Sequence, residues 1–220
     1  MSAFVLPGAS DRTIVIGGTG TGKTVAGAWL LSKQRFDKRP WVALDYKDEE
    51  LWDRVGDPPM RELRFGNMPG KKGLYRMAVN PGQEDDLEDW LWDIWSRGNI
   101  GLFCDEATLL PQKGAMKAIL RQGRSKLLPV IACTQRPVEI DREFFTESQY
   151  KMIFKLDDIR DYKTVEMFTG GADVKPRLPA HWSYWVDTKQ GKTWTLKPTP
   201  SPKEIASALR DVVPYSWFLG

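Results

Sequence analysis

The sequence predicts an α/β protein: a mainly parallel sheet with flanking helices, extended at its C-terminal end by a hairpin and a helix. Three observations carry this. Short apolar runs alternate with stretches of helical period, the rhythm of strands joined by crossover helices. A glycine-rich turn joins the first such strand to the first such helix. The length of 220 residues, 41% hydrophobic and 28% charged, suits one globular domain rather than a fibre or a disordered chain. The whole chain, 1–220, reads as a single domain, with a core over about 10–157 and a helix, hairpin and tail over about 158–220.

Thr13 to Gly17 is the first buried strand, and Lys23 to Lys33 the helix after it. Pro40 to Tyr46 is the second strand. Leu63 to Phe65 and Tyr75 to Asn80 read as short strands around a Gly/Pro loop, Gly66 to Gly73. Glu84 to Arg97 is a helix: three acids open it, Arg97 closes it and Gly98 follows, as dipole and C-cap rules require. Its residues Leu87, Trp90, Leu91, Ile94 and Trp95 share one apolar face and are core candidates. Asn99 to Asp105 and Leu128 to Thr134 are further buried strands with a helix between them, and Tyr150 to Leu156 is a fifth. A polar helix from about Asp158 to Phe168 follows. Trp182 to Asp187 and Thr193 to Leu196 form a hairpin around Lys189-Gln190-Gly191. Ser201, Pro202 and Glu204 then supply an N-cap, a proline at the first helical position and a capping-box acid.

Composition excludes several chemistries. Two cysteines, Cys104 and Cys133, and one histidine, His181, cannot build a disulfide scaffold or a four-ligand zinc site. Both cysteines lie in apolar strands and read as buried thiols. No apolar run approaches the roughly 20 residues of a membrane helix, and the N-terminus lacks the pattern of a secretory signal. The expected location is therefore the cytoplasm. The net charge of +3 permits a nucleic-acid partner without requiring one.

Gly17-Gly18-Thr19-Gly20-Thr21-Gly22-Lys23-Thr24 fits the phosphate-loop pattern between a strand and a helix, and predicts a P-loop NTPase core that binds ATP with Mg²⁺. Glycines let backbone N–H groups converge on phosphates at a helix N-terminus. Residues 17–24 and the adjoining Val25 are the candidate nucleotide-binding set. Lys23 would reach the β- and γ-phosphates, and Thr24 would place a hydroxyl on Mg²⁺. The strand Ile100 to Cys104 ends in Asp105, suited to the Mg²⁺ shell, and Glu106, suited to polarising the attacking water. A base beside the metal acid favours hydrolysis over phosphotransfer to a metabolite. Gln135, at the end of the next buried strand, could touch the γ-phosphate or that water and trigger motion on hydrolysis.

Gly123-Arg124, an apolar strand and Ala132-Cys133-Thr134-Gln135-Arg136-Pro137, with the phosphate loop, the ALDYK strand and FCDE in the same order, resemble the FtsK–HerA superfamily of DNA-translocating ATPases. The resemblance spans roughly Thr13 to Leu156. Cys133 stands where the family usually has a small aliphatic residue. The size of the chain makes it similar to the genome-packaging ATPases of tailless icosahedral, membrane-containing viruses. The resemblance implies a RecA-like core, a homo-oligomeric ring (a hexamer) with ATP sites at subunit interfaces, double-stranded DNA as the substrate, and docking on capsid or portal-vertex proteins. It implies activity in the host cytoplasm at the packaging vertex, and Arg124 as an arginine finger on the neighbour's γ-phosphate.

Read as one helix, Lys113, Lys117, Arg121 and Arg124 fall within a single stripe about 80° wide, a candidate DNA-gripping face. Arg124 cannot serve both DNA and nucleotide, so the stripe can end at Arg121. Lys71 and Lys72 are a second DNA candidate. Two other functions use the same phosphate loop: an ATP-switched assembly factor and a nucleotide or metabolite kinase.

Overall fold

Strands Arg12–Ile16 (β1), Pro40–Asp45 (β2), Met60–Glu62 (β3), Gly73–Ala78 (β4), Gly101–Cys104 (β5), Val130–Thr134 (β6), Tyr150–Ile153 (β7), Ser183–Asp187 (β8) and Lys192–Leu196 (β9) join in one sheet in the computed structural model. The structure describes residues 5–56, 60–111, 114–172, 174 and 178–213. The strand order is β3-β4-β2-β5-β6-β1-β7-β8-β9. From β3 to β7 every pair is parallel; β8 and β9 add an antiparallel hairpin to the same sheet.

Successive side chains on a strand point to opposite faces, and a sheet covered on both faces therefore reads as unbroken apolar runs. β1 follows this rule: Ile14 and Ile16 enter one core while Val15 enters the other. On the first face lie helices Glu84–Arg97 (α3) and Gly114–Gln122 (α4), packed through Trp90, Ile94, Met116 and Ile119. On the second lie Lys23–Leu31 (α1), Glu50–Val55 (α2) and Pro202–Val212 (α7), packed through Leu30, Trp52 and Leu209. The short helix Glu143–Thr146 (α5) and Ile159–Met167 (α6) complete the set.

The expected helix over Glu84 to Arg97 has those bounds, with Gly98 at φ +68 ending it. Four of its five apolar-face residues are buried, and Trp95 is half-buried against the same core. The capping box at Ser201 and Glu204 is formed in both directions. Elsewhere the structure corrects the expectation. The first short strand is Met60–Glu62 rather than Leu63 to Phe65; Leu63 N–H still bonds the Arg76 carbonyl, after which the chain turns to bury its side chain. The second starts at Gly73 and stops at Ala78. Helix α2 has no side-chain cap and only six residues, so no local signal announces it; Leu51, Trp52 and Val55 fix it by burial. Helix α4 ends at Gln122, so Arg124 is not helical: it lies in the turns of 123–127. Lys113 lies outside the described residues.

Candidate active site

β1 delivers the glycine-rich turn at its carboxyl end, and the two strands beside it hold the root of that turn. Gly17 N–H donates to the Thr134 carbonyl at 3.2 Å and Gly18 N–H to the Lys155 carbonyl at 3.1 Å. A Cβ on Gly17 would sit 2.6 Å from Phe154 Cβ, and Gly22 adopts φ +95, so neither position accepts a side chain without strain. Thr21 Oγ1 (2.8 Å) and Lys23 Nζ (2.9 Å) both donate to the Gly18 carbonyl, curling Lys23 over the loop. Burial is the main cause that lowers the Lys23 pKa.

Placing β6 between β1 and β5 sets Gln135 between the loop and the acids. Its amide spans the gap: Thr19 Oγ1 donates to Gln135 Oε1 at 2.7 Å, and Gln135 Nε2 donates to Glu106 Oε2 at 3.0 Å. Glu106, only 3% exposed, also accepts from Thr108 Oγ1 at 3.0 Å and Lys47 Nζ at 3.3 Å. Lys47 and Thr108 are site residues that sequence reasoning missed. Lys47 stands two positions past β2, and its partner lies 59 positions away.

Asp105 is buried to 1% exposure, and neither carboxylate oxygen has a hydrogen-bond partner of good geometry. Burial raises its pKa, and Thr24, close by, opposes the rise. Among the described residues no cluster of three or more His, Cys, Asp or Glu could hold a metal by itself. That suits Mg²⁺, which typically takes one or two protein oxygens and completes its shell with water and phosphate. Thr24 and the orphaned Asp105 carboxylate fit that role. The cysteines have none: burial pushes the Cys104 thiol up to about 12 and Cys133 well above its ordinary value.

Beside the loop opens a cleft of about 520 Å³ lined by Gly22, Val25, Glu49, His181, Pro198 and Pro202 among others. His181 Nδ1 lies 3.1 Å from the Thr21 carbonyl, with its own backbone at φ +62. The chain after the hairpin thus returns to the glycine-rich loop, an approach across 160 positions with no signal in local sequence.

Arg124 lies at the opposite edge of the sheet, just before β6 and close enough to Arg12 at the start of β1 for their charges to interact. On the order of 15 Å of strand separates it from its own phosphate loop. Its side chain cannot span that distance to its own glycine-rich loop. Lys71 and Lys72 are exposed in the segment preceding β4, on that same edge. On α4, Lys117 pairs with Asp141 at 3.4 Å and Arg121 with Glu143. The expected basic stripe is therefore not a bare cationic face.

No protein-family profile matches the chain. It is 39% identical over 211 residues to the DNA packaging ATPase P9 of Enterobacteria phage PRD1, covering 91% of this chain and 92% of that protein. In fold it is similar to the genome packaging NTPase B204 of Sulfolobus turreted icosahedral virus 2, solved with sulfate: TM-score 0.65 at 15% identity, over 88% of this chain and 99% of that one. ATPases 2 and 3 of EssC from Geobacillus thermodenitrificans match with TM-score 0.67 at 9% identity, over 96% of this chain and 45% of that one. Such low identities speak for the fold alone. The identity to the phage protein, sustained over nine-tenths of both chains, goes further: the chain belongs to the family of viral DNA packaging ATPases.

Proposed function

We propose that this chain is an ATP-hydrolysing translocase that packages double-stranded viral DNA, its whole length acting as one domain within a ring, a hexamer, at the packaging vertex. The carrying observation is the path from Thr19 through Gln135 to Glu106, which ties the phosphate loop to the base. In this reading Lys23 binds the β- and γ-phosphates, the 17–25 backbone cradles them, and Glu106 takes the proton of the attacking water. Mg²⁺, held by Thr24 and Asp105, would neutralise charge developing on the phosphates. Gln135 touches both loop and base, so loss of the γ-phosphate changes what it can bond.

Arg124 supports the ring. A guanidinium barred from its own site, on the edge opposite the loop, suits a head-to-tail arrangement in which it meets the next subunit's γ-phosphate. DNA would be gripped through phosphates, since a motor must pass any sequence. Lys71 and Lys72, both exposed, are one candidate for this. Lys113, Lys117 and Arg121 are the alternative, and there DNA must displace Asp141 and Glu143. Capsid or portal proteins would dock on the ring.

ATP turnover with and without double-stranded DNA tests the reading. We expect stimulation by DNA irrespective of sequence. A turnover indifferent to DNA would favour the assembly-factor alternative. Lys71→Ala with Lys72→Ala, set against Lys117→Ala with Arg121→Ala, should flatten the salt dependence of binding by close to one log–log unit for each phosphate no longer held. The pair that does so is the grip.

A further inference from the structure

Both oxygens of the Glu106 carboxylate are already engaged. Oε1 accepts from Thr108, and Oε2 accepts from Gln135 and from the Lys47 ammonium at once. A water molecule cannot present its proton to Oε2 without displacing one of those donors. Oε1 keeps one acceptor site, so the arrangement restrains the oxygen that faces Gln135 rather than the whole carboxylate.

The backbone that presents Lys47 is fixed. Asp45, at the end of β2 and with a fully buried side chain, accepts Arg76 Nε at 2.9 Å and pairs with Arg76 Nη2 at 2.7 Å. The same carboxylate accepts the N–H groups of Lys47 at 3.1 Å and Glu49 at 3.3 Å. What remains movable is the Lys47 side chain, whose exposure is 35% against 4% for its Glu106 partner. Through Glu106 and Gln135, Lys47 stands three contacts from Thr19 of the loop, and after burial its charge also helps lower the Lys23 pKa. A γ-phosphate bound at Lys23 would bring a more highly charged anion within the same electrostatic range.

We infer that Lys47 is a positioning residue that restrains Glu106 and exchanges onto the γ-phosphate, so that the base is released only when a nucleoside triphosphate is bound. The inference rests on the ATPase reading of the same site. It explains why a cation should face the base from the far side of the phosphate loop. With a diphosphate bound, the competing anion is gone and Lys47 returns to Glu106, which guards the base between cycles.

A double-mutant cycle on nucleotide affinity tests this, using β,γ-methylene ATP and ADP as probes in calorimetry on the full chain. Lys47→Met keeps the stem and drops the charge; it should weaken the triphosphate analogue roughly tenfold and leave ADP within about twofold. Glu106→Gln removes the anion that holds Lys47, so the analogue should bind up to about fivefold tighter, the scale of a half-exposed ion pair. That gain should vanish in the double variant, while Lys47→Arg should stay close to the native chain. If the gain persists without Lys47, or if Lys47→Met weakens ADP as much as the analogue, the exchange is refuted. If the native chain binds neither probe, and Lys23→Ala changes nothing, the ATP reading falls as well.

Discussion

Replacing Lys151 by methionine should make the protein more stable. Lys151 stands on β7, 2% exposed, with its ammonium donating to the Ser148 carbonyl at 3.0 Å. Burial alone lowers its pKa from 10.5 to about 8. Each tenfold displacement of a proton equilibrium is worth about 1.4 kcal/mol, so holding this charge in the fold costs about 3 kcal/mol. Methionine keeps the apolar stem and removes that cost. A base whose folded pKa lies below its unfolded one penalises the fold while protonated, and the penalty fades as pH rises from about 8 to 10.5. Urea unfolding followed by tryptophan fluorescence should therefore show Lys151→Met ahead by about 3 kcal/mol at pH 7, or about 6–12 °C in Tm for a chain of this size. The two proteins should converge near pH 10.5. Equal midpoints at pH 7, or an advantage undiminished at pH 10.5, would refute the argument and show that the Ser148 carbonyl compensates the buried charge.

Other expectations concern turnover and can be read by phosphate release. Lys23→Ala should weaken nucleotide binding itself, whereas Glu106→Gln should bind ATP and hydrolyse it about 10² times more slowly or worse. Arg124→Ala should spare ATP binding by a subunit and cost roughly 10³ to 10⁵ in rate, the scale of an arginine finger. Doped into native subunits, it should depress activity more than dilution predicts, and a strictly linear loss would mean that each subunit works alone. Asp105→Asn should abolish the part of nucleotide-induced thermal stabilisation that depends on Mg²⁺, as seen by comparing melting with ATP in magnesium and in EDTA.

What could be read from sequence was what neighbours in the chain decide. Helix α3 is bounded by its own residues, three acids at one end and Gly98 at the other, and α7 is opened by a capping box four residues long. The phosphate-loop pattern is equally local, because glycine spacing and the following Lys23-Thr24 make up the whole of it. Strand edges blurred where burial was shared: Met60 and Leu63 are both buried, and only pairing with β4 decides which belongs to the ladder. Pairings that cross the sheet left no trace in periodicity. Lys47 on Glu106, His181 on Thr21 and Asp141 on Lys117 each join segments brought together by topology. The last of these also changed the meaning of a pattern, since a stripe that looks uniformly basic in one helix is partly neutralised by acids from another segment.

Nine strands spaced about 4.8 Å apart make a plate on the order of 40 Å wide, with β6 and β1 near its middle. Hydrogen bonds across such a plate lie in its plane, so strands cannot slide past one another without breaking whole rows together. If Gln135 acts as proposed above, a change there would be expressed as a tilt of the entire plate. With a half-width of about 20 Å, a tilt of roughly 10° carries either margin about 3.5 Å. That is close to the roughly 3.4 Å rise of one base pair along a DNA strand. On that reading the stiffness of the sheet would act as mechanical gearing, turning a change of one hydrogen bond at the centre into a displacement of molecular step size at the rim.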